Sequence, residues 1–477
     1  GDPIIFYDQE YERWFLTEFN GSGNSLLIAV SETSDPLGSY NTYEFSTPSF
    51  PDYPKYSLWS NAVVVTTNEG GGGEELYLID RLALINGGAD VNIQRTVIPS
   101  ISGSPGFFVL TPVDWIGDTA PPADARPMVM RMNDDAWGSS TDIDLIEIFE
   151  IEVDWDDSNN TIITQVDVPT APFDSNPCSV PGFGFSCIPQ LGGGGIDGLQ
   201  EIIMNQVKYR NFGSYESMVL TFVVDYTGGD DISGIRWIEM RRSGTDDWSV
   251  YQEGTFAPED GLDRFMPSIA MDKYGNIGLA YSISSESMYP GLAFTGRKVS
   301  DPLGEMTVEE YIIVEGQSAA PNSRYGDYAC MTVDPVTDTD FWFTAEYMKT
   351  TNGGWGTMIT SFELGRDTFD ISPISLDTPV SSNLLGATET VSVTVQNLGI
   401  EPVEEFGLAC YLDGNLVADD VISVVLASEE TYAHTFTPTV DLSAVGTYSF
   451  EIITTWADDQ SNNNDTLRSD VIHEFDY

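Results

Sequence analysis

Histidine is almost missing from this chain of 477 residues, which contains only His434 and His473. Both lie near the C-terminal end, so the first 368 residues offer no imidazole. A histidine general base, a histidine zinc ligand and a Ser–His–Asp triad are therefore excluded from that region. Paired carboxylates remain available for chemistry, but with 75 acidic residues some pairing is inevitable and carries no weight.

Positive charge is also scarce, with 19 Lys and Arg against 75 Asp and Glu and a net charge of −56. Such a surface repels nucleic acids and anionic membranes, so neither is an expected partner. Two explanations of the acidity stay open and can coexist. One is hydration of the surface in salty water, where ions screen the self-repulsion. The other is binding of divalent cations.

Long apolar runs and cysteines are few. No apolar run reaches the roughly 18 residues that a spanning helix needs, so membrane insertion is not expected. Of the four cysteines, Cys178 and Cys187 flank an irregular Gly- and Pro-rich loop, which predicts a disulfide and a secreted or cell-surface location. Cys330 and Cys410 lie in apolar runs and are predicted to be buried thiols. The chain begins at Gly1 rather than Met, which indicates processing or a fragment.

What the sequence does contain is short apolar runs rich in β-branched and aromatic residues, punctuated by 44 Gly and 26 Pro. This composition predicts an all-β protein. The five residues Ser-Asp-Pro-Leu-Gly occur twice, at 34–38 and 300–304, each time between two strand-like runs. Pro fixes φ and Gly allows the chain to reverse, so the repeat is interpreted as a turn rather than as an active-site loop.

A unit of four strand-like runs recurs every 45–60 residues, which is typical of β-propeller blades. The sixth unit shows only three runs, and neither chain end supplies a fourth. We therefore expect a propeller over 1–368 with six visible blades; a seventh blade and closure by a missing N-terminal segment are the open alternatives. A two-sheet sandwich would not repeat the unit in this way. Residues 169–196 are interpreted as a long loop between blades three and four. The six units span 2–46, 52–98, 105–168, 197–257, 262–316 and 324–366.

Residues 369–477 contain about seven short alternating runs with frequent turns, which predicts an immunoglobulin-like β-sandwich. This region resembles a CARDB domain, a bacterial adhesion-related module. The resemblance rests on the stretches VSVTVQNLG at 391–399, YLDGN at 411–415, GTY at 446–448 and NND at 463–465.

The first 366 residues resemble secreted bacterial β-propeller proteins of the sialidase-like (BNR) superfamily, of the kind found on Bacteroidetes-type cell surfaces. The resemblance implies type IX secretion and a propeller fold, but no established reaction. In that group a further β segment usually precedes the GDP motif. The residues that carry the resemblance include GDPIIFYDQEYERWFLTEF at 1–19, AVSETSDPLGSY at 29–40 and SIAMDKYGNIGLAYS at 268–282.

Four cations lie in or just before the first strands of blades, where they are predicted to converge on the propeller axis. With two neighbouring residues they would form a pocket for an anionic or sugar ligand. The competing interpretation is that each cation neutralises carboxylates between blades. Asp boxes of the Ser-x-Asp-x-Gly-x-x-Trp kind are absent, which weakens a sialidase assignment. The predicted ligand-binding residues are Lys55, Arg210, Arg264, Arg324, Tyr325 and Asp327.

Calcium is the predicted cofactor, because clustered carboxylates in polar turns suit a hard cation. One candidate turn is DPVTDTD, with Asp334, Asp338 and Asp340. The other is DWDDSNN, with Asp154 and Asp156. Neither matches an EF-hand loop, and each has the alternative interpretation of a solvated turn between two strands.

Together these features favour a non-catalytic, adhesin-like or structural protein that binds glycans or other surface proteins, within a larger extracellular assembly. No catalytic residue is assigned. The alternative is an extracellular polysaccharide-degrading propeller enzyme, a hydrolase or lyase, with its site near Arg264 and Arg324.

Overall fold

The computed structural model describes residues 1–70, 73–101, 109–137, 141–178, 186–226, 232–244, 246–350 and 354–474. Regular structure there is almost entirely β-strand, which confirms the all-β class. Among these residues no helix is long and apolar enough to cross a membrane.

Each of the first two repeat units forms a four-stranded antiparallel sheet whose strands follow chain order, and blade three forms half of an eight-stranded sheet that continues into blade four. A short helix, α1 (Arg81–Ile85), follows the third strand of blade two. Blade one contains β1–β4, at Ile4–Asp8, Arg13–Asn20, Ser25–Ser31 and Tyr40–Ser46. Blade two contains β5–β8, at Asp52–Leu58, Ala62–Asn68, Gly73–Asp80 and Ile93–Pro99. Blade three contains β9–β12, at Thr111–Trp115, Met128–Asn133, Leu145–Glu152 and Ile162–Pro169.

Two short strands precede blade four, and blade six has three strands where the other blades have four. The short pair is β13 and β14, at Ser186–Ile188 and Ile196–Asp197. Blade four contains β15–β18, at Val207–Asn211, Glu216–Asp225, Ser233–Arg242 and Ser249–Phe256. Blade five contains β19–β22, at Asp263–Met271, Ile277–Ser285, Met288–Arg297 and Val308–Val314. Blade six contains β23–β25, at Cys330–Val333, Phe341–Met348 and Trp355–Phe362.

Both copies of the repeated pentapeptide connect the third and fourth strands of their blades, which confirms the turn interpretation. In the first copy, the Asp35 carboxylate accepts a hydrogen bond from Leu37 N at 2.9 Å. Gly38 N donates to Asp35 O at 3.1 Å. In the second copy, Gly304 has φ +82°, the left-handed conformation that glycine adopts without strain.

Neighbouring blades pack through apolar side chains that alternate along each strand, since successive residues point to opposite faces of a sheet. A separate buried cluster joins each consecutive pair of blades from one to six. Blades three and four are also joined at their inner strands, where β9 and β15 pair in parallel. Within the described ranges, no buried cluster joins blade six to blade one.

The ring of blades is therefore open at one seam. On blade one, Phe6 and Phe15 face blade two, whereas Ile5 points into the seam and is 64% exposed. On blade six, Trp355 and Ile359 point to the face away from blade five and are 63% and 67% exposed. A groove of about 550 Å³ runs along the open face of blade one. A segment that closes the ring remains a prediction.

The C-terminal region is a β-sandwich, in agreement with the predicted immunoglobulin-like fold. One sheet has the strand order β26-β27-β30 and the other β29-β28-β31-β32, with one shared apolar core. Glu429 docks the sandwich on blade five through Tyr274 Oη and Lys273 Nζ. The strands β26–β32 span Ile371–Thr378, Glu389–Asn397, Val403–Leu412, Asn415–Leu426, Thr431–Val440, Gly446–Thr455 and Thr466–His473.

The cysteines behave largely as predicted. Cys178 and Cys187 form a disulfide. Cys330 and Cys410 are free thiols. Cys410 is buried as expected, whereas Cys330 keeps part of its surface exposed because it lies on an inner strand whose opposite face fills the core.

The open seam makes a stability prediction for two residues of blade one. Phe15→Ala should lower the free energy of unfolding by about 3–5 kcal/mol, because it leaves a cavity in the core shared with blade two. Ile5→Ser should change it by less than about 0.5 kcal/mol, because Ile5 is exposed. Urea unfolding followed by tryptophan fluorescence measures both. A loss for Ile5→Ser similar to that for Phe15→Ala would mean that the seam is covered in solution.

Candidate functional site

The propeller axis is filled by residues 186–206, which we call the axial plug. Its apolar side chains form a buried cluster with Tyr53, Phe265 and Tyr325 from blades two, five and six. The plug members of that cluster are Ile188, Ile196, Leu199, Ile202 and Met204. Part of the segment predicted as a long loop between blades three and four, residues 186–196, thus lies at the centre of the propeller. The disulfide attaches the start of the plug to the segment that follows blade three.

Hydrogen bonds connect the backbone of the plug to several blades. Asp197 N donates to Ser323 O at 2.9 Å, and Met204 N donates to Thr221 O at 3.0 Å. Ser268 Oγ of blade five donates to Asn205 O at 3.0 Å. Because these partners come from blade four, blade five and the segment that leads into blade six, the plug ties these three parts of the propeller together at the axis.

Lys55, one of the four cations predicted to line a pocket, contacts the plug rather than solvent. Its Nζ donates to Ile203 O and to Thr111 Oγ1, both at 2.9 Å. The side chain is fully buried, and burial lowers the pKa of Lys55 to about 7. Lys55 therefore positions the plug and is not accessible to a ligand from outside.

Arg210 and Arg264 are buried in ion pairs between or within blades. Arg210 Nη1 donates to Asp338 Oδ2 at 2.7 Å, which joins blade four to the hairpin turn of blade six. Arg264 donates to Glu310 Oε1 at 2.8 Å and to Asp260 Oδ2 at 2.7 Å, away from the axis. The structure does not bring the four predicted cations together. For these two residues the geometry supports the competing interpretation, neutralisation of carboxylates.

Arg324 is the one predicted cation that lies exposed at the axis. Its side chain is 64% exposed, and Nη2 donates to Asp327 Oδ2 at 2.8 Å. Tyr325, by contrast, is buried and donates its hydroxyl to Glu346 O at 3.0 Å, so it does not face the same space.

Three further carboxylates surround this ion pair, at the entrance that we call the axial mouth. Its members come from the chain start, blade two, the plug and blade six, and are Asp2, Asp52, Asp197, Arg324 and Asp327. Burial raises the pKa of Asp2, Asp52 and Asp197, and the neighbouring carboxylates raise these pKa values further. The positive charge of Arg324 lowers the pKa of all three carboxyl groups and so offsets part of this rise. With every group ionised, four carboxylates and one guanidinium leave a charge of −3.

Two tyrosines support the mouth from below. Tyr328 Oη donates to Asp2 Oδ2 at 3.1 Å, and Tyr53 Oη donates to Asp327 O at 2.8 Å. Their rings lie 4.9 Å apart. These two hydrogen bonds cross from blade six to blade one and to blade two, so they fix the mouth where the ring of blades is open.

Sequence reasoning missed Asp2, Asp52 and Asp197, although a local signal exists for two of the blades. Asp2 and Tyr53 have φ values of +53° and +50°, and each stands directly before a proline at the start of an inner strand. Left-handed non-glycine residues are uncommon and often lie near functional sites. The Asp-Pro and Tyr-Pro pairs thus mark where the inner strands reach the mouth.

The predicted calcium turns are capped by their own backbone. Asp154 Oδ1 accepts from the amides of Asp156 and Asp157, both at 2.9 Å, and these bonds lower the pKa of Asp154. Asp334 Oδ1 accepts from Val336 N at 2.8 Å in the same manner.

In the DPVTDTD turn, the carboxylates of the other two predicted ligands also have partners within the protein. Asp338 is paired with Arg210, and Asp340 accepts from Thr337 Oγ1 at 2.8 Å. The Arg210 guanidinium neutralises the Asp338 carboxylate, and calcium binding by Asp338 stays a prediction. At both turns the geometry supports the alternative interpretation of a polar turn.

A different acidic group satisfies the geometry of a metal site. One carboxylate oxygen from each of Asp134, Asp135 and Asp144 lies within 4.8 Å of the others. Asp134 and Asp144 are buried, and Asp135 is exposed. The sequence shows only an Asp-Asp pair and a later Asp at the start of a strand, which are too common to single out.

The CARDB family model matches residues 370–466. These residues form a CARDB domain. Two solved structures are similar to it: a cell surface protein domain from Methanosarcina acetivorans and a CARDB domain from Pyrococcus furiosus in complex with di-metal ions. The first is 22% identical with a TM-score of 0.20, covering 23% of this chain and 95% of that one. The second is 21% identical with a TM-score of 0.19, covering 23% and 93%.

The propeller is similar to an α-L-arabinanase from Penicillium chrysogenum complexed with arabinobiose. The identity is 12% and the TM-score 0.35, over 73% of this chain and 89% of that chain. No curated protein matches the chain. At these identities and TM-scores, no residue role or activity is carried over from the solved structures.

Replacing Arg264 or Arg324 with alanine should lower the stability of the propeller by very different amounts. Arg264→Ala should destabilise the propeller by about 3–5 kcal/mol, because Glu310 and Asp260 lose the cation that neutralises them. Arg324→Ala should cost less than about 1 kcal/mol, because the pair with Asp327 is exposed. Thermal melting of both variants measures the difference. Equal losses would contradict the assignment of Arg324 to an accessible mouth.

Proposed function

We propose that this protein is an extracellular, non-catalytic, adhesin-like protein that binds neutral glycans at the axial mouth. The observation that carries the proposal is the convergence of four carboxylates and one exposed guanidinium from four separate chain segments at the centre of the propeller. Charged groups from distant segments repel or cost desolvation when brought together, so a cluster of this kind favours a binding site over a packing role.

The chemistry of the mouth suits hydroxyl-rich, uncharged ligands. Carboxylates accept hydrogen bonds from sugar hydroxyls, and Arg324 supplies donors for ring or hydroxyl oxygens. A charge of −3 disfavours sialic or uronic acids, because their carboxylates would be repelled. The mouth has one arginine rather than an arginine cluster, which also weighs against the sialidase-like hypothesis.

Two features favour binding without turnover. The plug occupies the channel beneath the mouth, so a bound sugar would remain near bulk water rather than in an enclosed cleft. The propeller sequence also contains no histidine to act as a general base. The disulfide and the CARDB domain support a secreted or cell-surface location, with other surface proteins as additional partners.

One observation favours the alternative, a polysaccharide-degrading enzyme. The pKa values of Asp52 and Asp197 are raised by burial and by neighbouring carboxylates, and a glycosidase acid needs a raised pKa. A pair of carboxylates at the mouth is therefore the place where such activity would arise, rather than Arg264.

The binding proposal predicts a preference among glycans and its loss in mouth variants. The protein should bind neutral polysaccharides such as arabinan or galactan more tightly than polygalacturonate at moderate salt. Asp197→Asn and Arg324→Ala should each weaken binding about tenfold or more, since a lost charged hydrogen bond costs roughly 1.5–3 kcal/mol. Affinity electrophoresis and titration calorimetry measure both effects.

Arg126→Ala is the matched control, because Arg126 forms an exposed pair with Glu152 at 2.6 Å in blade three. It should leave binding unchanged. Unchanged binding in both mouth variants, or a preference for the anionic polymer, would contradict the proposal. Release of reducing sugars that disappears in Asp197→Asn would instead establish the enzymatic alternative.

A further inference from the structure

The third strand of blade six, β25, is much less covered than the third strands of other blades. In blade two, seven of the eight residues of β7 are buried, and in blade four eight of the ten residues of β17 are buried. In β25 only Gly356 is buried among eight residues. A fourth strand pairs with the outer edge of β7 and of β17, whereas within the described ranges no strand pairs with the outer edge of β25. This strand therefore has the position of a third strand and the exposure of an edge strand.

The sequence of β25 is apolar on both faces of its sheet. Met358 and Phe362 pack against the core shared with blade five. Trp355 and Ile359 alternate with them and point into the seam, where Trp342 of the neighbouring strand is also exposed. An exposed edge strand with apolar side chains presents unpaired N–H and C=O groups to any further strand that can pair with it.

The groove on blade one forms the other side of the seam. Its charged lining residues are Glu18 and Glu44, and no lysine or arginine of the described chain lines it. The Gly1 ammonium pairs with Glu18 at 2.9 Å, whereas Glu44 accepts from the neutral Ser25 hydroxyl at 2.7 Å. A segment that enters the seam therefore meets apolar side chains on both blades and negative charge on blade one. The apolar lining residues include Ile5, Leu16, Leu27 and Ala29.

A second copy of this chain is a poor match for the seam. Each copy carries a net charge of −56, so two copies that approach one another repel. A second copy would also bring further carboxylates next to Glu44. A neutral or basic segment is complementary in charge, because a lysine or arginine on it compensates that carboxylate.

We propose that the seam binds an extended segment of another protein, which pairs with the outer edge of β25 as the fourth strand of blade six. The segment has apolar residues at alternating positions, a lysine or arginine and no acidic residue. Main-chain hydrogen bonds to β25 provide affinity, and the alternating side chains that cover Trp355 and Ile359 provide specificity. This interaction does not depend on glycan binding at the axial mouth.

Two peptides copied from fourth strands of this propeller test the proposal on the whole chain. The peptide IQRTVIP has the sequence of β8 in blade two, with one arginine and no acidic residue. The peptide VEEYIIV has the sequence of β22 in blade five, with two glutamates. Fluorescence anisotropy of the labelled, end-blocked peptides should show at least tenfold tighter binding of IQRTVIP, because its charge is complementary. Equal binding of the two peptides, or no binding of IQRTVIP, would overturn the proposal.

Backbone methylation of the IQRTVIP peptide distinguishes strand pairing from unspecific adhesion. Only every second amide of a strand points towards a given neighbouring strand. N-methylation of one alternating set of amides should therefore abolish binding, whereas methylation of the other set should largely preserve it. Hydrogen exchange of the amides in β25 should slow down when the unmodified peptide is bound. Equal effects of the two sets, or unchanged exchange in β25, would contradict pairing at this edge.

A variant of the seam and a matched control complete the test. Ile359→Ser should weaken binding of IQRTVIP about tenfold and leave the melting temperature nearly unchanged, because Ile359 is exposed in the free protein. Val421→Ser should bind like the parent, since Val421 is equally exposed on a strand of the sandwich. Unchanged binding in Ile359→Ser, or an equal loss in Val421→Ser, would overturn the proposal. A dimer of the parent in sedimentation that Ile359→Ser dissociates would also overturn it, by assigning the seam to a second copy.

Discussion

The filled axis is the constraint on which the remaining structure depends. In this propeller the plug takes the position of a solvent channel, and its backbone accepts hydrogen bonds from Lys55 and Ser268. A buried lysine is tolerated there only because Ile203 O and Thr111 Oγ1 satisfy it and because its pKa falls to about 7. The inner strands can then end at the mouth, supported from below by the plug rather than by water.

The few positive charges of this acidic chain lie largely in buried ion pairs. Arg81, Arg210 and Arg264 are all buried in pairs with carboxylates, so much of the scarce positive charge is used inside and between blades. Among the carboxylates that remain without such partners, Asp2, Asp52 and Asp197 meet at the axial mouth. A ligand that donates hydrogen bonds gains there, because Arg324 compensates only part of the negative charge.

The sequence was sufficient to predict the elements but not their partners. Strand repeats, the SDPLG turns, the disulfide and the C-terminal sandwich depend on local patterns, and all were predicted. The partners of Lys55 and Arg210, Ile203 and Asp338, lie 148 and 128 residues away in the sequence. No local sequence pattern could therefore identify them. For the same reason residues 186–196 of the plug were predicted as part of a loop and residues 197–206 as the start of blade four, since Gly- and Pro-rich segments have loop-like sequences whether they lie outside or inside.

The filled axis explains how the propeller can stay folded with an open seam between blades six and one. A propeller with an empty channel depends on ring closure to hold its first and last blades. Here Tyr328 contacts Asp2 and Tyr53 contacts Asp327, which joins blade six to blades one and two next to the plug. The inner ends of the blades are thus held together while their outer faces stay apart. Because strand alternation directs Ile5 and Ile359 into that gap, a sheet that closes it would bury apolar side chains of both blades beside polar groups such as Glu18 and Glu44.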